Sequence, residues 1–240
     1  MLSFDEVKGN KRDFLALTGL TLDEFNTILP SFWEAYDKSL NGTETLTGTV
    51  RMRETGSGPD AKLGSIEQKL FFILVYQKTY PLQIVMAKLF GLNQPRTNYW
   101  IHRLLPTLKG ALDAIGVMPE REGKEFATSE QRGGVAKDYV IDGTERRRNR
   151  PKAAEKQTLH YSGKKKQHTD KNLVITELKT GRVGYLSPTR PGTVHDKKLA
   201  DQEQIAYPEN SRLHKDTGFQ GYEPPVKQTL QPKKSRKAKS

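Results

Sequence analysis

Residues 139–146 read Tyr139-Val140-Ile141-Asp142-Gly143-Thr144-Glu145-Arg146. An aromatic and β-branched run gives way to a carboxylate and a glycine, which predicts a short strand over Tyr139–Ile141 with Asp142 at its end. Two similar runs follow, Leu173-Val174-Ile175-Thr176 and Val183-Gly184-Tyr185-Leu186, with Lys179-Thr180-Gly181-Arg182 as the hairpin turn between them. Beyond a Pro/Gly turn, the chain reads as a helix from about Val194 to Ile205 and a short strand before Asp216. Three strands, a helix and a strand in this order predict an α/β or α+β domain over residues 138–240.

Upstream, the apolar spacing changes to three and four residues. Phe14, Leu15, Leu17 and Leu20, then Phe25, Ile28, Leu29, Phe32, Trp33 and Tyr36, predict one or two helices over 13–38, the second opened by a Thr21/Glu24 capping box. Residues 41–64 are rich in Gly and Thr without periodicity and read as a loop. Ser65 and Gln68 then mark a second capping box before a buried helix over Ile66–Thr79. Pro81 suits the first turn of a helix ending at Phe90, with Gly91 as its cap and Asn93 opening the next helix. In that last helix, apolar positions recur from Tyr99 to Ile115, and Pro106 is expected to kink or split it. Residues 1–118 are therefore expected to be all helical, with the charged, Gly-containing segment 119–137 as a linker.

The net charge of +12 is unevenly placed. Residues 1–63 hold seven basic and ten acidic side chains, so residues 64–240 carry +15. A one-sided positive field points to a polyanion, most commonly nucleic acid. The longest apolar run, Leu70–Tyr76, is far short of the roughly 20 residues a membrane span needs, so no membrane partner is expected. The lack of cysteine excludes disulfides, thiolate zinc sites and a cysteine nucleophile, and fits a cytoplasmic location.

Within the helical part, residues 81–105 fit a helix-turn-helix whose second helix carries Arg96, Asn98, His102 and Arg103 on its polar face. Such a helix enters the major groove, where Arg and Asn make bidentate contacts to base edges. Two ordinary bundle helices fit the same pattern. In the second part, Asp142, Asp196 and Asp216 each have two readings. A carboxylate beside flexible backbone suits a hard cation such as Mg²⁺. It equally suits a turn or, for Asp196, a helix cap. Residues 145–166 hold nine basic side chains against Glu145 and Glu155, among them Arg146, Arg147, Arg148, Arg150, Lys164, Lys165 and Lys166. Cations of this density hold a phosphate backbone, or form a solvated basic loop. The histidines, His168 and His195 included, lack close ligand spacing and fit hydrogen bonds or phosphate contacts better than zinc. The tail after Glu223, basic from Lys227 to Lys239, is expected to be disordered.

Six blocks occur in one order: Asp142-Gly143-Thr144-Glu145-Arg146, Arg150-Pro151-Lys152, Tyr161 to Thr169, Leu186-Ser187-Pro188, Pro191 to Lys197, and Asp216 to Gly221. Together they resemble the DDE transposases of the bacterial insertion-sequence-five type, related to the eukaryotic Harbinger group. The resemblance runs from about residue 65 onward. It implies a ribonuclease H-like catalytic domain behind a helical DNA-binding region, and an enzyme that cleaves transposon ends and transfers the freed strand. It further implies two Mg²⁺ (or Mn²⁺) ions held by two aspartates and a glutamate, double-stranded DNA as partner (inverted repeats and target), and a homo-oligomer on DNA, associated with the nucleoid. By motif, the catalytic aspartates fall on Asp142 and Asp216, with Asp196 the runner-up at the metal. The family's glutamate sits on a later helix with no counterpart before Ser240, and Glu223, beside Pro224-Pro225, is a poor substitute. The resemblance therefore implies a truncated chain with an incomplete ribonuclease H-like domain. A noncatalytic fragment that binds element DNA and regulates or complements the full enzyme is the alternative.

Overall fold

The computed structural model describes residues 1–40, 63–130 and 137–232. Nearly all of the loop read over 41–64, and the end of the basic tail, lie outside the described residues. The chain divides into two compact units, Met1–Val117 and Met118–Ser240.

The first unit is helical: α1 (Phe4–Val7), α2 (Lys11–Thr18), α3 (Leu22–Leu40), α4 (Ile66–Thr79), α5 (Gln83–Leu89) and α6 (Gln94–Ala114). Gly19, at φ 76°, ends α2 in the left-handed conformation. At α3 the capping box forms in both directions, Glu24 N–H to Thr21 Oγ1 at 3.2 Å and Thr21 N–H to Glu24 Oε2 at 2.7 Å. At α4 only half of the expected box forms. Ser65 Oγ accepts from the Gln68 amide, but the Gln68 side chain turns to Phe4 N–H (2.7 Å) and Leu2 O (3.2 Å) and ties down the N-terminal segment. Leu70 to Val75 are all buried, so α4 is the centre around which the other helices bury their apolar faces. Two expectations are corrected. The helix after Pro81 begins only at Gln83, and α6 runs unbroken through Pro106. Pro106 and His102, the residue whose carbonyl loses its donor, are both exposed, so water can satisfy that oxygen.

The second unit is α+β. It holds α7 (Phe126–Glu130), β1 (Asp138–Arg147), α8 (Ala154–His160), β2 (Tyr161–Ser162), β3 (Gln167–Glu177), β4 (Val183–Leu186), β5 (Arg190–Pro191), α9 (Asp196–Glu203), β6 (Arg212–Lys215) and β7 (Gln228–Leu230). The sheet order is β2-β3-β1-β6-β7, with β4 and β5 also on β3. β1, β3 and β4 are antiparallel neighbours, whereas β6 is parallel to β1 and β7 parallel to β6.

Side chains alternate between the two faces of the strands. Tyr139, Ile141, Leu173, Ile175 and Leu213 point to one face and pack with Leu199 and Ala200 of α9. Val140, Asp142, Thr144 and Arg146 therefore point to the other face, with Asp170, Asn172 and Val174 of β3 opposite them.

Three expectations change here. Asp142 does not end its strand: β1 continues to Arg147 because β3 pairs with it as far as Arg147↔Thr169, although its ladder with β6 stops at Ile141↔Lys215. The described part of segment 119–137 is not a free linker. Phe126 is fully buried in the second core, and Glu120 exchanges backbone hydrogen bonds with Gly184 and Leu186. The tail after Glu223 is partly ordered, since Gln228–Leu230 adds β7 to the sheet.

Candidate functional site

The parallel pair β1–β6 sets the centre of the site. Ile141 and Lys215 are its last paired residues, and the next residue on each chain is a carboxylate, Asp142 and Asp216. Both are exposed. Each accepts one backbone hydrogen bond that fixes its rotamer, from Gly143 N–H to Asp142 Oδ1 and from Gly218 N–H to Asp216 Oδ1, both at 2.8 Å. Gln231, just past β7, donates its side-chain amide to the Asp216 carbonyl and braces that corner. On each aspartate the second oxygen has no hydrogen-bond partner among the described residues. Two neighbouring hard oxygen donors fit a divalent cation of the Mg²⁺ kind, which takes one or two carboxylates and fills its shell with water and phosphate oxygens. Among the described residues, no three His, Asp or Glu side chains converge as a metal-holding group.

Asp196 is placed differently. It is the first residue of α9, and His195 rather than Asp196 caps that helix, its Nδ1 accepting from Lys197 N–H at 3.3 Å. The Asp196 carboxylate presses on the backbone at two glycines: a Cβ on Gly143 would lie 2.5 Å from its Oδ1, and one on Gly218 would lie 3.0 Å from its Oδ2 and equally 3.0 Å from Asp216 Oδ1, so Asp196 also neighbours Asp216. Only glycine allows that approach. Because Gly143 faces Asp196, Asp142 points to the opposite face of β1. Lys171, buried on β3, donates to Asp196 Oδ1 (2.8 Å) and to the Val194 carbonyl (2.9 Å), and lies 3.3 Å from Glu145 Oε1. Asp196 is thus held in an ion pair that anchors α9 to the sheet. Burial pushes the Glu145 carboxyl up, but hydrogen bonds from Ser162 and Lys171, with the lysine's charge, outweigh it and hold Glu145 below the ordinary range. Glu223 is also committed to the fold, taking Lys215 Nζ at 2.6 Å and Thr229 Oγ1 at 2.9 Å.

The basic residues divide by their contacts. Arg146, on the Asp142 face, donates to Asn172 Oδ1 at 2.7 Å. Arg148 reaches Asp170 at 2.8 Å, and the His160 ring lies 2.9 Å from the same carboxylate. Arg150 holds Gln157 Oε1 at 3.0 and 2.8 Å. Lys164, Lys165 and Lys166 are exposed at the tip of the β2–β3 hairpin, with Lys166 at φ 52°. Arg147 and His195 are exposed, and His168 is half-buried with its ring edge-on to Tyr161 at 5.5 Å.

In the first unit, α5, the turn at Gly91 (φ 63°) and α6 form the helix pair, and the Asn93 side chain caps α6 by accepting from Arg96 N–H at 2.9 Å. Arg96 and His102 are exposed and Asn98 is half-buried. Arg103 is not on the exposed face. It is 6 % exposed, donates to Tyr99 Oη at 2.8 Å and lies over the Tyr36 ring, so it bridges α3 and α6.

Lys171, Glu145 and Tyr161 had no place among the expected site residues. A lysine in register with Leu173 and Ile175 was the available signal for the first, since an inward lysine requires a buried partner.

Residues 141–239 match the family model described as DDE superfamily endonuclease, and residues 61–113 match the one described as helix-turn-helix of DDE superfamily endonuclease. No curated protein matches the chain, and no solved structure does. One match falls in each structural unit.

Proposed function

We propose that this chain, which carries the helix-turn-helix and the endonuclease domain of the DDE superfamily, is a DNA transposase of the insertion-sequence-five/Harbinger type. The observation that supports the reading is that Asp142 and Asp216 directly follow the last paired residues of the parallel strands β1 and β6, beside a basic strand. Three antiparallel strands continued by two parallel ones support a ribonuclease H-like catalytic domain from about residue 138.

In this reading Asp142 and Asp216 hold Mg²⁺ or Mn²⁺, two ions by the family pattern. When bound, such an ion lowers the pKa of a water and stabilises the leaving oxygen of a phosphodiester. Arg146, Arg147, Lys164, Lys165 and Lys166 hold the DNA backbone, and Arg96, Asn98 and His102 address base edges. Attack of water on phosphorus breaks the P–O bond at a transposon end and leaves a 3′-hydroxyl, which then attacks target DNA. The partners are inverted-repeat and target duplexes, and the working form is a homo-oligomer on DNA in the nucleoid.

A second reading is a noncatalytic protein that binds element DNA and regulates or complements the full enzyme. It is favoured by one observation: among the described residues no three His, Asp or Glu side chains converge as a metal-holding group. Nicking of a supercoiled plasmid carrying the element ends separates the two. Mg²⁺-dependent nicking that vanishes in Asp142→Asn supports the transposase; binding without nicking, unchanged by that substitution, supports the noncatalytic protein.

A further inference from the structure

On the Asp142 face of the second unit, α8 and the β2–β3 hairpin border an open recess of about 580 Å³ lined by Arg150, Gln157, Thr158, Tyr161 and His168. We propose that this recess binds one unpaired DNA nucleotide, its base stacked on Tyr161. The inference rests on the endonuclease reading of this unit and deepens it.

Three observations carry it. The recess pairs an aromatic plane with polar groups. Tyr161 is 47 % exposed, far above the other tyrosines of this unit, and the His168 ring meets it edge-on. Arg150 stands beside it with Gln157 as its fixed partner, so a cation, an amide and the Thr158 hydroxyl surround the ring. Stacking on an aromatic plane beside cations is how unpaired bases are held, whereas a base inside a duplex hides its faces.

The walls are also preformed. Thr193 Oγ1 donates to the Leu159 carbonyl at 2.7 Å, and the Arg148–Asp170–His160 cluster ties the end of α8 to β3.

The placement suits a strand that passes the two carboxylates. His168 shares the face of Asp142, and Arg148 N–H continues the β1–β3 ladder onto the His168 carbonyl. Asp142 and Arg148 are six residues apart, roughly 20 Å along a strand. That is about six base-pair steps of duplex DNA at 3.4 Å each, and fewer steps of an extended unpaired strand. Arg146 lies on this path, and Lys164–Lys166 stand on the same hairpin as Tyr161.

The test measures fluorescence anisotropy of the full chain with a labelled 12-nucleotide oligo-dT and with a 12-base-pair duplex. Tyr161→Ala should weaken single-strand binding roughly tenfold, the worth of one stacked base, and leave duplex binding within about twofold. Tyr161→Phe should restore it. Unchanged single-strand binding in Tyr161→Ala overturns the proposal, as does an equal loss on both DNAs that Phe does not restore. The plasmid-nicking assay is read separately: a chain that does not nick yet shows the selective single-strand loss removes the endonuclease reading and upholds the recess.

Discussion

Asp142 and Asp216 each follow directly on the last paired residues of two parallel strands, Ile141 and Lys215, and so stand side by side where that ladder ends. Without a cation between them, two exposed like charges on neighbouring strands repel. Asp142→Asn should therefore leave the metal-free protein as stable as the parent or more stable, by up to about 1 kcal/mol. Urea unfolding in the presence of a chelator measures it, and a loss of more than that would mean Asp142 serves the fold.

Lys171 carries the opposite expectation. It is the shared cation of Glu145 and Asp196, with all three side chains largely buried. Lys171→Met strands two carboxylates and should cost about 3–5 kcal/mol, the range for breaking a buried pair. The second unit should melt first, visible as loss of near-ultraviolet signal from its buried tyrosines.

Acid should unfold the second unit through its inward carboxylates. Glu145 is lowered as described above. At Glu130, burial pushes the carboxyl up, but the hydrogen bond from Lys137, the charges of Arg182 and Lys137, and the Tyr139 hydroxyl bring it below its ordinary value of 4.5. A carboxyl lowered on folding contributes stability that is complete above its unfolded pKa and is lost as pH falls through the folded one. Stability should thus be flat above about pH 5 and decline below about pH 4.5, starting from the unfolded values. Glu145→Gln should flatten that decline in a pH series of urea midpoints.

Arg96 and Arg103 sit on the same helix and should part company under alanine substitution. Arg96→Ala should lower affinity for a cognate duplex by about 1–3 kcal/mol with the melting temperature unchanged. Arg103→Ala should instead lower the melting temperature, because it removes the bridge between Tyr36 on α3 and Tyr99 on α6. Anisotropy and thermal unfolding on both variants decide it.

The helices were legible because their information is local: the Thr21/Glu24 box, the Gly91 turn and the Asn93 cap are short-range chemistry, and all three formed. What escaped notice depended on distant partners. Thr144 to Arg147 look like loop until β3 supplies their hydrogen bonds. Phe126, one apolar residue in a charged run, reads as linker until Tyr139, Tyr185 and Tyr207 surround it. Arg103 passed for a surface cation because the polar face of α6 carries no mark showing which part α3 covers. At the site, the carboxylates were visible as motifs, but their grouping came from register. Only the pairing of Ile141 with Lys215 sets Asp142 beside Asp216, and only the close approach at Gly143 shows Asp196 on the face of β1 opposite Asp142, held by Lys171.

The central claim is that Asp142 and Asp216 together hold a divalent cation. Its most direct test is a Mn²⁺ titration followed by electron paramagnetic resonance, on the parent chain and on Asp142→Asn, Asp216→Asn and Asp196→Asn. The account predicts that the parent binds Mn²⁺, that each of the first two substitutions weakens binding at least about tenfold, and that the pair together loses little more than either alone, since both serve one site. Asp196→Asn should bind Mn²⁺ as the parent does wherever it remains folded. Binding that survives Asp142→Asn or Asp216→Asn, or that disappears only in a folded Asp196→Asn, would contradict it.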